Sequence, residues 1–179
     1  MRKTESQKIA LCGVLGALSV TLLLAGNLLQ VGTYAAPMLA AFLLVPVLEE
    51  YGRKYALLLY AATSVLAVLL VPDKELALFY VLVLGYYPVL KRWLDTLHPA
   101  PLRWAAKLAV FNLATAAMYG LLMLLIGPAV AQELLSDGPL WLAAFLAMGN
   151  LAFALCDVAL ANITRLYHLK LRKKLHKIL

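Results

Sequence analysis

Apolar residues along this chain fall into long runs between Ile9 and Ile163, separated by short polar or proline-containing punctuation. Stretches such as Ala56-Leu57-Leu58-Leu59-Tyr60-Ala61-Ala62 are apolar on every side. That pattern fits a helix with apolar surroundings all round, whereas a membrane β-barrel would alternate apolar and polar positions. Six segments emerge: Ile9–Leu29, Tyr34–Leu48, Tyr55–Val71, Leu76–Leu90, Leu108–Gly127 and Leu140–Ile163. Several approach the roughly 20 residues that a helix needs to cross a bilayer. Pro37 and Pro139 sit near segment starts and Pro72 and Pro128 follow segment ends, where a missing backbone donor costs little or stops the helix. Pro46 and Pro88 each precede a charged cluster and are expected to kink or end a helix there.

Composition turns this pattern into a fold class. With 64% hydrophobic and 14% charged residues among 179, the chain carries more apolar surface than one small water-soluble core could bury. The mean hydropathy of +0.87 agrees. The expectation is an all-α polytopic membrane protein, a six-transmembrane-helix bundle forming one domain over residues 1–179, with no soluble domain. The first run follows Arg2, Lys3 and Lys8 in the manner of a signal peptide, but continues through Gly26 and Leu29 without a small-residue cleavage site, so it is read as a mature helix. Cys12 and Cys156 both lie inside apolar runs and are expected to be small buried residues rather than a disulfide.

The formal charge of +7 would point to nucleic acid on a soluble face, but here the cations edge hydrophobic segments and act as topology signals, so no nucleic-acid partner is expected. Threading six spans with the N-terminus inside places fifteen of the sixteen Lys and Arg residues on the cytoplasmic side, leaving Lys74 alone outside. Both termini are therefore expected in the cytoplasm. The first hairpin is the open point, because its turn Gln30-Val31-Gly32-Thr33 is uncharged and its second segment is short enough to stop before the far surface. Residues 164–179 form a basic amphipathic tail expected to lie along anionic lipid or to dock a partner.

Candidate chemistry is sparse. His98, His168 and His176 all fall on the cytoplasmic side, no His/Cys/carboxylate group has metal-ligand spacing, and no phosphate-cradling loop or nucleophile elbow occurs. No enzyme activity, metal or cofactor is expected. Asp157 is the one acidic residue well inside a span, two helical turns from Asn150 on one helix face. It calls for a partner, for which Asn112 or Lys107 lies at comparable depth; the pair of readings is a polar brace between helices or an ion or proton site. In the outer half, Asn27, Gln30, Thr33, Tyr34, Tyr80 and Trp141 are candidates for lining an outward-facing solute pocket, or else ordinary interfacial residues. Gly13 and Ala17 make a small-xxx-small stripe on the first helix that permits close approach of another helix.

The size, six helices, small outer loops and the stripe in Ile9-Ala10-Leu11-Cys12-Gly13-Val14-Leu15-Gly16-Ala17-Leu18 together resemble the substrate-binding S component of energy-coupling factor (ECF) transporters. The resemblance implies capture of a vitamin or other small solute from outside a bacterial plasma (inner) membrane, with a T component and two cytoplasmic ATPases as partners. It maps the family's alanine motif, which contacts the T component, onto Gly13 and Ala17, with glycine in place of one alanine. Rod-shape-determining membrane proteins are similar in size and fold, which keeps a non-transporting scaffold open beside solute capture. A small ion- or proton-coupled carrier using Asp157 is the third possibility.

Overall fold

The computed structural model describes residues 5–29, 32–127 and 138–171, and these are all helix and short connections, without strands. The elements are α1 (Glu5–Leu28), α2 (Gly32–Phe42), α3 (Leu44–Tyr51), α4 (Arg53–Leu70), α5 (Lys74–Phe79), a π-helical turn (Tyr80–Leu84), α6 (Tyr87–Leu94), α7 (Ala100–Ile126) and α8 (Gly138–Leu166), the last followed by a second π-helical turn over Tyr167–Leu171. Among the described residues, five stretches are long and apolar enough to cross a membrane: Glu5–Leu28, Gly32–Tyr51, Arg53–Leu70, Ala100–Ile126 and Leu140–Leu169. Their outward faces are apolar, with Leu69 72% and Leu124 82% exposed, a surface suited to hydrocarbon and not to water.

Two segments expected as single helices are broken, each for a local reason. The second splits at Leu43 because the Pro46 ring clashes with the carbonyl of Phe42 four residues earlier, so α2 ends there and α3 restarts. The fourth is α5, the π turn and α6 in series. Within it the Gly85 amide donates to the Tyr80 carbonyl at 2.7 Å, a five-residue step that displaces one turn of the ladder. A Cβ on Gly85 would sit 2.7 Å from that carbonyl and 2.8 Å from the Tyr60 ring, so only glycine fits. Tyr60, on α4, donates its hydroxyl to the Val81 carbonyl at 2.6 Å, which satisfies backbone that the π turn leaves unpaired.

Helix α7 starts at Ala100, with Pro101 in its first turn, ahead of the Leu108 at which the apolar segment begins. Residues 164–171 continue α8 as helix, and Tyr167 turns inward to donate to Glu50 at 2.9 Å. The remainder of the basic tail lies outside the described residues.

Contacts define two ends of the bundle. At the basic end, Tyr55 at the start of α4 donates to Glu5 of α1 at 3.1 Å, Arg92 of α6 pairs with Glu49 of α3, and His168 after α8 lies 2.8 Å from the same Glu49. At the opposite end, Asn27 near the end of α1 accepts the Asp73 amide at 3.1 Å, and Asp73 caps α5 by accepting from the Glu75 and Leu76 amides. Lys74 donates to the Val68 and Val71 carbonyls at the end of α4. The α1–α2 hairpin closes tightly here: a Cβ on Gly26 would lie 2.2 Å from the Ala36 Cβ, so the crossing tolerates no side chain at that point.

The largest buried cluster joins α2, α3, α5, α6, α7 and α8 through Ala41, Val45, Phe79, Tyr87, Phe111 and Phe153. A second, around Leu23, Ala40, Leu76 and Tyr80, seals α1 against α2, α4 and α5, and a third, around Leu44, Leu48, Ala56 and Leu59, closes the basic end.

Candidate functional site

Helix α8 is buried in the bundle through its second half, while its first half makes lighter contact through Phe145, Gly149 and Asn150. Phe153, Cys156, Asp157 and Leu160 are buried, whereas among residues 140–152 every one is partly or fully exposed. Because that first half packs loosely, a cleft of about 400 Å³ opens between α2, α5, α7 and α8. Its walls are almost wholly apolar. Met38, Leu84, Phe111, Met148, Gly149 and Phe153 form the body, and the Phe111 and Phe153 rings stack at 4.6 Å to make the floor with Cys156.

Polar groups gather at one edge. Tyr34 of α2 and Tyr119 of α7 both line the cleft, and both donate their hydroxyls to the same oxygen of Glu75 on α5, at 2.9 and 2.8 Å. Three elements therefore converge on one carboxylate, which sits behind the two tyrosines and is not itself part of the cleft lining. Tyr34 also meets Phe79 edge-on at 5.2 Å, and Tyr119 meets Phe145 of α8 edge-on at 6.4 Å. The Thr115 hydroxyl is buried in the α7 wall without a partner among the described residues.

Below the floor lies an ion cluster. Asp157 of α8 accepts from Lys107 of α7 at 2.9 and 3.0 Å, from Tyr87 of α6 at 2.6 Å, and from Lys91 of α6. Lys107 also reaches Asp95, which is partly exposed, at 2.6 Å. Two lysines facing two aspartates leave the group balanced, and Lys107 is only 2% exposed. Taking such charges out of water is expensive, and the group is tolerable because every charge is paired and hydrogen-bonded. On its far side a smaller, charged cleft of about 250 Å³, lined by Glu49, Arg92, Asp95, Thr164 and Arg165 among others, opens at the basic end. The cluster thus plugs the space between the two clefts and locks α6, α7 and α8 together.

The residues singled out in the sequence divide among several places. Tyr34 lines the apolar cleft. Asn27 is occupied in the Asp73 turn, Thr33 is half-buried and outside the cleft lining, Trp141 is 67% exposed and also outside it, and Gln30 lies outside the described residues. Tyr80 is fully buried in the second core cluster, one step off the cleft. Asn112 and Asn150 hydrogen-bond to each other at 2.8 and 3.1 Å across α7 and α8, and each also donates to the carbonyl four residues back on its own helix. They form a brace separate from Asp157, whose partners include the Lys107 considered from sequence and also Lys91 and Tyr87, which were not. Gly13 and Ala17 are exposed on α1, with nothing within 4 Å of a Cβ built on Gly13, whereas Gly16 packs inward against Leu59. Glu75 was the residue sequence reasoning passed over; its one signal was a carboxylate at the start of an apolar segment.

Comparison of the chain with protein-family models, with curated proteins and with solved structures finds no match in any of the three.

Proposed function

We propose that this protein is the membrane-embedded substrate-capture subunit of an ECF-type importer, crossing a bacterial plasma membrane six times with both termini in the cytoplasm. The single observation that carries the reading is the apolar cleft beside α8, a preformed concavity edged by a few convergent polar groups, as small-molecule sites are. A bundle built only to hold partners has no need of such a space. The six crossings are supported by α5, the π turn and α6, which together run from the Asn27–Asp73 end to the Glu49–Arg92 end, and by the concentration of Lys and Arg at that second end.

On this orientation the cleft belongs to the outer half and the solute enters from outside. The exposed Gly13–Ala17 stripe is free of internal partners at Gly13 and offers a close-approach surface to a T component, whose ATPases supply the energy this chain has no machinery to provide. The carrier reading is the weaker one, because Asp157 is already held by two lysines.

A thermal-shift screen of the purified protein against vitamins, their precursors and small metabolites tests the capture role. A ligand that binds only the folded state, at a hundred times its dissociation constant, adds about 2.7 kcal/mol. A shift that vanishes on substituting cleft residues is the expected result; no shift across a broad panel would favour the scaffold.

A further inference from the structure

The chemistry at the edge of the cleft narrows what it takes. Four aromatic rings stand there in two edge-on pairs, Tyr34 with Phe79 and Tyr119 with Phe145, and the two tyrosine hydroxyls meet on one oxygen of the half-buried Glu75. Among the described residues no Lys, Arg or His forms an ion pair with Glu75. The nearest cation in sequence, Lys74, is spent on the α4 carbonyls. The sequence adds no other nearby: the segments 30–31 and 128–137 contain no Lys or Arg.

An apolar cleft gives little selectivity by itself, since lipid tails are as apolar as its walls. Selection must come from the edge. Ring faces carry negative potential that attracts a cation, and a carboxylate in a partly desolvated setting strengthens that attraction.

We propose that the cleft is a site for an organic cation, an ammonium group seated among the rings of Tyr34, Phe79, Tyr119 and Phe145 and favoured by the negative charge of Glu75 behind the two tyrosine hydroxyls, with its apolar body lying over Phe111 and Phe153. This rests on the capture role proposed above and names the substrate class for the same cleft. Anions are excluded by the same acidic edge, and neutral molecules of equal shape lose the charge-assisted contact.

The test uses four probes of matched shape, 2-phenylethylamine, (2-phenylethyl)trimethylammonium, 2-phenylethanol and 3-phenylpropanoate, titrated by calorimetry into the full chain in a non-ionic detergent. Either ammonium should bind about tenfold or more tighter than the alcohol, and the carboxylate weakest of all. In Glu75→Gln, whose amide oxygen still accepts from both tyrosines, the preference should shrink to threefold or less. Tyr119→Phe, which keeps the ring, should retain most of it, so the readout does not depend on one variant folding. If alcohol and ammonium bind equally, or the preference survives Glu75→Gln, the cation assignment is overturned while solute capture stands. If none of the four binds but a neutral or anionic metabolite from the broad screen does, the outcome is the same. If nothing binds in either experiment, both fall together.

Discussion

Asp157 shows how one side chain decides the packing of three helices. Its two lysine partners come from positions 66 and 50 residues away in sequence, so the need for a partner was legible but the identity of Lys91 was not. Asp157→Asn leaves both lysines buried with half their compensation, and should destabilise the protein by about 3–5 kcal/mol, read as loss of unfolding free energy in denaturant. Adding Lys107→Met to that variant should restore part of the loss, because one unpaired cation then disappears. Glycines give a second contrast at this scale. Gly26→Ala drives a methyl to 2.2 Å from the Ala36 Cβ and should cost about 1–3 kcal/mol, whereas Gly13→Ala meets nothing within 4 Å and should leave stability unchanged or gain up to about 1 kcal/mol of helix propensity. Thermal denaturation of the two single variants side by side checks the opposite signs.

Among the elements, the long helices α1, α4, α7 and α8 were legible because an unbroken apolar run has only one low-energy form in hydrocarbon. The interrupted ones were legible only in part. Pro46 announces the break between α2 and α3, but nothing in the run Tyr80–Leu84 marks a π turn, since that step arises from packing of Gly85 against Tyr60 and from the Tyr60 hydroxyl reaching Val81. Tyr80, read from sequence as a pocket-lining or interfacial candidate, lies in the core beside Leu23 and Leu76, off the cleft lining. Tyr60→Phe removes the hydrogen bond to the Val81 carbonyl in this turn and should lower stability by about 1 kcal/mol, with faster amide exchange confined to residues 80–86 as the local signature.

For the whole molecule, charge along the chain is the basis of the proposed orientation, and the cleft was invisible because it depends on α8 packing loosely at one end while its other half is clamped. The candidate pocket residues chosen for being polar or aromatic caught Tyr34 but not Tyr119, and passed over Glu75, on which both tyrosine hydroxyls meet. With both native cysteines replaced, a cysteine at Lys74 should label with a membrane-impermeant maleimide in intact cells, and one at Lys173 should label only after lysis; the reverse result would contradict the orientation. The most direct measurement is solute binding by Gly149→Phe beside the unaltered protein. Gly149 lines the cleft, and a Cβ there meets only the Phe111 ring, at 3.8 and 3.9 Å, so the new ring fills open space without straining the core. Solute binding should be abolished while the unfolding temperature without ligand stays the same or rises. Undiminished binding by this variant would mean that the cleft is not the capture site.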